Sequence, residues 1–475
     1  MFSSKKAPQP PIGPTLRGGH ALTRGLLPRR YFQRLALPMH WRRHPRPRIS
    51  QRTFLMRVTV LGRLVWLAVF ICPSGIWAAV HFSPPVLVAF SSDSEAAENL
   101  PVVPDRFFGL HEQFVFGVHG GQTSFDFSQD AGRSWAPCNI SVAAWGSVDG
   151  IAVPVFNNAT PSTPATHPDS YHDLGSVSLS SSSSGWTRRN VTTLFIDKLG
   201  QLASSSDESQ TVTFSGIPSP GINSTVSQAN PQRMYGMVRL GDGTYVTAVA
   251  IIWNGLAANP SPDGPIIPWS LVAFASNDTF HWEYLNIIAN ISDFNWSTFG
   301  PTESDISFLS DSRTLICVIR MDGDANCDTQ LYRYFYSARS SDGGRSWSKP
   351  APMQGLGCVR PKLLLLSSGA LLLAGGRMCV EQTKDVLLWV SADGTANQWT
   401  SFSLTYQHNR LWHGDRSFLF DQLVNSTAAW ESLAYTSLVP QNESSALIFY
   451  QKSFSPTWPP WPSATFMMRV QVTRD

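Results

Sequence analysis

The chain has 475 residues, 43% of them hydrophobic, 12% aromatic and only 15% charged, with 34 Gly, 34 Pro and 17 Trp. Low charge combined with many aromatics and turn formers argues against a helical bundle and fits one large all-β domain with appendages. The net charge of +3 offers no footing for a nucleic-acid partner, because residues 1–57 carry 13 Lys and Arg and no Asp or Glu, which leaves everything beyond net acidic.

Residues 1–57 read as a basic cytosolic tail. Residues 58–80, from Val58 to Val80, form an apolar stretch interrupted by Arg63 and by Pro73, Ser74 and Gly75. Its length suffices to cross a bilayer, and the positive charges ahead of it would keep the N-terminus in the cytosol as a type II single-pass anchor. The alternatives are a signal peptide cleaved near Ala78 and Ala79, giving a secreted protein, or an organelle transit peptide, since the leader is Arg-rich and free of acid. Asn-x-Ser/Thr occurs at Asn139, Asn158, Asn190, Asn223, Asn277, Asn290, Asn295, Asn425 and Asn442, all downstream of the apolar stretch, which fits a domain in the secretory pathway facing the lumen or the cell exterior. Beyond Cys72 stand Cys138, Cys317, Cys327, Cys358 and Cys379, an odd number, so at least one is unpaired or pairs between chains. No Cys/His spacing suggests a metal, and none is expected.

Residues 81–104 read as a polar connector and residues 105–475 as the folded domain, with a Ser-rich loop insertion at 157–187. From about residue 230 short apolar runs alternate with turns, the pattern of consecutive antiparallel hairpins. Two octapeptides, Ser128-Gln-Asp-Ala-Gly-Arg-Ser-Trp135 and Ser340-Ser-Asp-Gly-Gly-Arg-Ser-Trp347, share Ser-x-Asp-x-Gly-x-x-Trp. In such a hairpin the Asp side chain ties down the turn, Gly takes a conformation costly to other residues, and Trp covers it. Imperfect copies stand at Ser276-Asn-Asp278 with Trp282 and at Ser391-Ala-Asp393 with Trp399. A repeat of this kind points to four-stranded units and a β-propeller, with these Asp residues as turn staples rather than catalysts.

A second repeat aligns segments opening at Arg233, Glu303, Arg360 and Tyr435, each a polar residue followed by an apolar strand and a turn. The returning strand ends in a cation 17 residues on in three cases, Arg320, Arg377 and Lys452, while Ala250 holds that place after Arg233. In a propeller, inner strands begin at one mouth of the channel and hairpins return to it, so Glu303, Arg320, Arg360, Arg377, Tyr435 and Arg233 converge there. Several guanidiniums gathered near a carboxylate and a phenol repel one another unless they serve an anionic ligand. His408 and His413, beside Arg410 and Arg416, read as loop surface.

The segment from Glu303 to Arg320, followed by the octapeptide at 340–347, resembles the exo-α-sialidase (neuraminidase) segment that carries the catalytic Glu and a pocket Arg. Leu433-Ala-Tyr435-Thr-Ser-Leu, trailing to Phe449-Tyr450, resembles the Tyr-Ser-x-Leu nucleophile segment of that family; together the matches cover roughly residues 275–475. The resemblance implies a six-bladed β-propeller and retaining hydrolysis of terminal sialic acids from glycoconjugates without a cofactor. Tyr435 would be the nucleophile, neutral where a carboxylate would be repelled by the substrate's own, and Glu303 its general base. Arg320 and Arg377, with Arg360 or Arg233, would grip the substrate carboxylate. The chain departs from the family in showing no Phe-Arg-Ile-Pro-like motif near Arg106, in having Lys384-Asp385 where the third arginine is expected, and in offering no identifiable general-acid Asp, since Asp126 and Asp130 look structural. A glycan-binding lectin that has lost catalysis, or a receptor-type propeller that binds protein, therefore stand beside the enzyme.

Overall fold

The structure, a computed structural model, describes residues 70–71, 77–91, 102–110, 114–119, 125–138, 152–155, 170–173, 186–188, 191–207, 212–216, 229–253, 269–294, 300–322, 334–357, 359–376, 385–420, 432–454 and 463–474. Three strands at the start, Phe70–Ile71, β1 (Trp77–Phe82) and β2 (Val86–Ser91), join the last of six sheets, which otherwise follow in chain order. The first sheet opens with β3 (Val102–Leu110) and the second with Ala152–Val155. The third is built on β4 (Ala229–Arg239) and β5 (Tyr245–Trp253), the fourth on β6 (Gly300–Phe308) and β7 (Leu315–Asp322). The fifth contains β8 (Val359–Leu365) and β9 (Leu371–Gly376), and the sixth β10 (Ser432–Asn442), β11 (Ser445–Ser453) and β12 (Ser463–Arg474).

The second strands explain the stacking. On a strand, successive side chains point to opposite faces, and here both faces are apolar. In β7, Cys317 and Ile319 pack with Ala248 and Ala250 of the third sheet, whereas Ile316 and Val318 pack with Leu371 and Leu373 of the fifth. In β9, Leu372 and Ala374 turn the other way, onto Ile448 and Tyr450 of the sixth sheet. In β11, Leu447 and Phe449 meet Val115 of the first. Each fully buried Leu, Ile, Val or Phe among them contributes roughly 1.5–3 kcal/mol, and the alternation leaves no polar face on which a sheet could lie open. Sheets three, four, five, six and one therefore stack face to face in series, with β4 beside β6, β6 beside β8, β8 beside β10 and β10 beside β3. This is the propeller arrangement; the contacts of the described residues do not close the ring through the second sheet.

The four Ser-x-Asp turns each join the third and fourth strands of a sheet. Asp130 accepts from the amides of Arg133 and Ser134 at 2.9 Å, and Trp135 Nε1 donates to Gly132 O. Asp342 and Trp347 repeat the pattern on Ser346 and Gly344. In the imperfect copies Asp278 takes the amides of Phe280 and His281, and Asp393 that of Thr395. Gly132 and Gly344 both adopt left-handed backbone, φ 77° and 89°, which explains the glycine.

The structure places strands inside the expected N-terminal segments 58–80 and 81–104. The end of the apolar stretch at 58–80 and the start of the connector at 81–104 form β1, which pairs with residues 470–474 of β12. β2, also inside the supposed connector, pairs along the same edge with residues 463–467. Between them Pro84 and Pro85 interrupt the ladder for want of an N–H, and Ser83 bridges the gap: its amide donates to Arg469 O and its Oγ accepts from Arg469 N, both at 2.9 Å. Ala78, Val80 and Phe82 pack against the sixth sheet's core, so their apolarity belongs to a strand. Residues 1–57, 58–69 and 72–76 lie outside the described residues; no helix among the described residues is long and apolar enough to cross a membrane. The expected loop insertion at 157–187 likewise contains a strand, Ser170–Asp173.

His408 also departs from expectation. It lies on α1 (Leu404–Leu411), fully buried, with its ring among Trp412, Phe420, Tyr450 and Phe466. Lys452, the cation 17 residues after Tyr435, is buried with its ammonium over the rings of Phe420 and Phe454. Asn277 and Asn442 of the glycosylation triplets are exposed, and Cys317 is buried and unpaired.

Candidate active site

Every inner strand in the stacked series carries an irregularity near its start. The register shifts between Pro301 and Ser304 around Glu303, between Val359 and Lys362 around Arg360, and between Leu433 and Ser437 around Tyr435. It shifts between Pro231 and Arg233 in β4, and between Val102 and Phe107 around Arg106 in β3. A bulge inserts extra residues into one strand and re-aims its side chains, and bulges concentrate beside functional sites. In Glu303, Arg360 and Tyr435 the bulges coincide with side chains that meet one another between neighbouring sheets.

Glu303, Arg320, Arg360 and Tyr435 come together at that level. Tyr435 Oη donates to Glu303 Oε1 at 2.8 Å, across 132 residues of sequence. Arg320 Nη1 donates to Glu303 Oε2 at 2.7 Å, forming a largely buried ion pair. The backbone N–H of Arg360 donates to the same oxygen at 2.9 Å, and its guanidinium lies over the Tyr435 ring, with Cζ 5.0 Å from the centroid. Burial by itself would raise the Glu303 pKa, but the charges of Arg320 and Arg360, with hydrogen bonds from Arg320 and Tyr435, outweigh it and hold the carboxyl at about 2. Glu303 is therefore a carboxylate at any physiological pH, with both oxygens engaged and Tyr435 within proton-transfer reach.

Arg233 sits on β4 opposite Ala250, the pairing that the 17-residue spacing anticipated; of Arg233 and Arg106 only the backbone position is described. Arg377 and Lys384 lie outside the described residues.

Asp305 escaped notice in the sequence. It is buried, takes the amides of Ile306 at 3.0 Å and of Leu363 at 2.7 Å, and so ties β6 to β8. Burial outweighs the nearby charges of Lys362 and Arg360 and raises its pKa. At Gly236 of β4 a Cβ would collide with the Asp305 carboxylate and come within 2.7 Å of the Ile306 backbone nitrogen, so glycine there gives β6 its close approach. The signal was present in Glu303-Ser-Asp305, two carboxyls separated by one residue at the head of an apolar strand.

Stacked sheets of four strands, extended to six in the third and sixth, with bulged inner strands, place the chain in the propeller class of folds. No family model matches the chain, and no curated protein matches it. Solved structures do. A protein of unknown function from Dyadobacter fermentans is 14% identical with a TM-score of 0.50, over 83% of this chain and 99% of that one. The GH93 α-L-arabinofuranosidase of Fusarium graminearum, solved with arabinobiose, is 13% identical with a TM-score of 0.48, over 82% and 97%. An exo-β-1,3-galactanase of Phanerochaete chrysosporium is 12% identical with a TM-score of 0.35, over 67% and 63%. Glycoside hydrolases are thus among the structural neighbours, and at these identities the likeness is one of fold.

Proposed function

We propose that the chain is a retaining exo-α-sialidase acting on terminal sialic acids of glycoconjugates, with Tyr435 as nucleophile and Glu303 as its base. The observation that carries this reading is the 2.8 Å hydrogen bond from the Tyr435 phenol to an ionised, charge-held Glu303 carboxylate. A phenol is a poor nucleophile until a base accepts its proton, and a neutral one can approach an anomeric carbon that bears a carboxylate. Arg320, with Arg377 and Arg233 from the same mouth, would hold that carboxylate, Arg320 exchanging part of its hold on Glu303 for the substrate. Asp305 is committed to backbone amides, so the acid that protonates the leaving group would come from another part of the mouth or from water.

In this reading the six sheets are six blades, sewn shut by β1 and β2. In the same reading residues 1–57 form a cytosolic tail and the apolar stretch 58–80 supplies the anchor or signal segment as far as the strands at Phe70–Ile71 and β1, with the propeller lumenal or extracellular. The test is hydrolysis of 4-methylumbelliferyl sialoside, with the anomer first released read by NMR. Turnover with retention that disappears in Tyr435→Phe supports the enzyme. Binding without turnover favours a lectin, and neither sinks both glycan readings.

A further inference from the structure

We infer that Arg360 is a positioning residue, clamping Glu303 and Tyr435 into one geometry, rather than one of the arginines that grip substrate. The inference rests on the reading of Tyr435 and Glu303 as a nucleophile and base, and on three features of Arg360 itself. Its backbone is left-handed, with φ 42°. Among the described residues the other non-glycine residues with positive φ, Ala131, Thr279, Ser312 and Ala396, all lie in turns or bends, whereas Arg360 lies inside β8. A side chain held in that region is strained and persists only where its surroundings over-determine it, as at functional sites.

The strain has a visible use. β8 stands between β6, which carries Glu303, and β10, which carries Tyr435. In extended backbone the Arg360 amide would point along the ladder; in the left-handed turn of the bulge it points at Glu303 Oε2. The same twist brings the guanidinium over the Tyr435 ring, with Cζ 5.0 Å from its centroid. One residue thus fixes the carboxylate through its main chain and the phenol through its side chain, from the strand between them. A cation over a phenol ring is held by the ring's quadrupole and also favours electron density on the oxygen. A guanidinium held over the phenol ring is engaged with the nucleophile itself, which sets it apart from an arginine that forks onto a substrate carboxylate.

The experiment compares Arg360→Asn, whose short side chain tolerates left-handed backbone, Arg360→Gly, which relieves the strain and keeps the amide, and Arg360→Lys, which keeps the charge without the plane. Each is assayed on 4-methylumbelliferyl sialoside beside Tyr435→Phe, and the Asn variant is also crystallised. A lost clamp lowers kcat about 10- to 100-fold, the cost of a misplacement of about 1 Å, with KM within about threefold and partial recovery in the Lys variant. In the crystal the Tyr435–Glu303 separation opens beyond hydrogen-bond reach. A rise in KM at unchanged kcat makes Arg360 a substrate grip and overturns the proposal, as does a Tyr435–Glu303 contact unaltered in Arg360→Asn. The crystallographic outcome stands whether or not sialosides are turned over. Full turnover by Tyr435→Phe, by contrast, sinks the nucleophile reading alone.

Discussion

Two tyrosines on adjacent strands of the sixth sheet make hydrogen bonds of the same length to a basic partner. Tyr435 on β10 meets Glu303 at 2.8 Å, and Tyr450 on β11 meets His408 Nδ1 at 2.8 Å. The first pair sits in a bulge, half-buried and ringed by Arg320 and Arg360; the second is sealed in an aromatic box with neither phenol nor imidazole exposed. Burial lifts the Tyr450 hydroxyl well above its ordinary range and, with the charge of Lys452, lowers His408 to about 4, so this pair stays neutral. Charge and access, not hydrogen-bond length, separate a candidate nucleophile from a core contact.

Removing each hydroxyl should break the comparison in opposite ways. Tyr435→Phe is expected to cost about 10³-fold or more in turnover, since no other group can form the covalent intermediate, while the melting temperature stays near that of the parent. Glu303→Gln should follow with a loss of about 10²- to 10⁴-fold, the usual worth of a positioned base. Tyr450→Phe should leave turnover unchanged and cost about 1–2 kcal/mol of stability by orphaning a buried imidazole nitrogen, read by denaturant unfolding. If Tyr450→Phe abolishes activity while Tyr435→Phe spares it, the two pairs have been assigned the wrong way round.

The same pairs show what the sequence could disclose. The convergence of Glu303, Arg320, Arg360 and Tyr435 was legible because hairpins of fixed length return to one end of a sheet, and the 17-residue spacing records that length. The bulges were not legible, because an extra residue leaves no mark on an apolar pattern that tolerates both faces. His408 misled for a related reason: beside Arg410, His413 and Arg416 it looked like surface, and half of the rings that bury it, Tyr450 of β11 and Phe466 of β12, stand more than forty residues on. The first strand was not legible because Trp77 to Val80 are as apolar as a membrane segment, and the pairing partner of β1 is the last strand of the chain.

Acid should separate the two regions by a smaller effect. His408 has a folded pKa of about 4 against an ordinary 6.5, so the unfolded chain binds the proton more readily between these values. Its contribution to stability is complete above pH 6.5 and falls as pH drops toward 4. Glu303, depressed from 4.5 to about 2, contributes fully above 4.5 and loses that contribution between 4.5 and 2. Melting temperature followed from pH 8 to pH 2 should therefore decline in two stages. His408→Phe should lower stability overall yet flatten the upper stage. Glu303→Gln should flatten only part of the lower, because Asp278 and Asp342, also held near 2 in their turns, titrate in the same range. If the upper stage survives in His408→Phe, the imidazole is not the group whose charging strains the sixth sheet, and the contrast between a neutral core pair and a charged mouth pair loses its electrostatic basis.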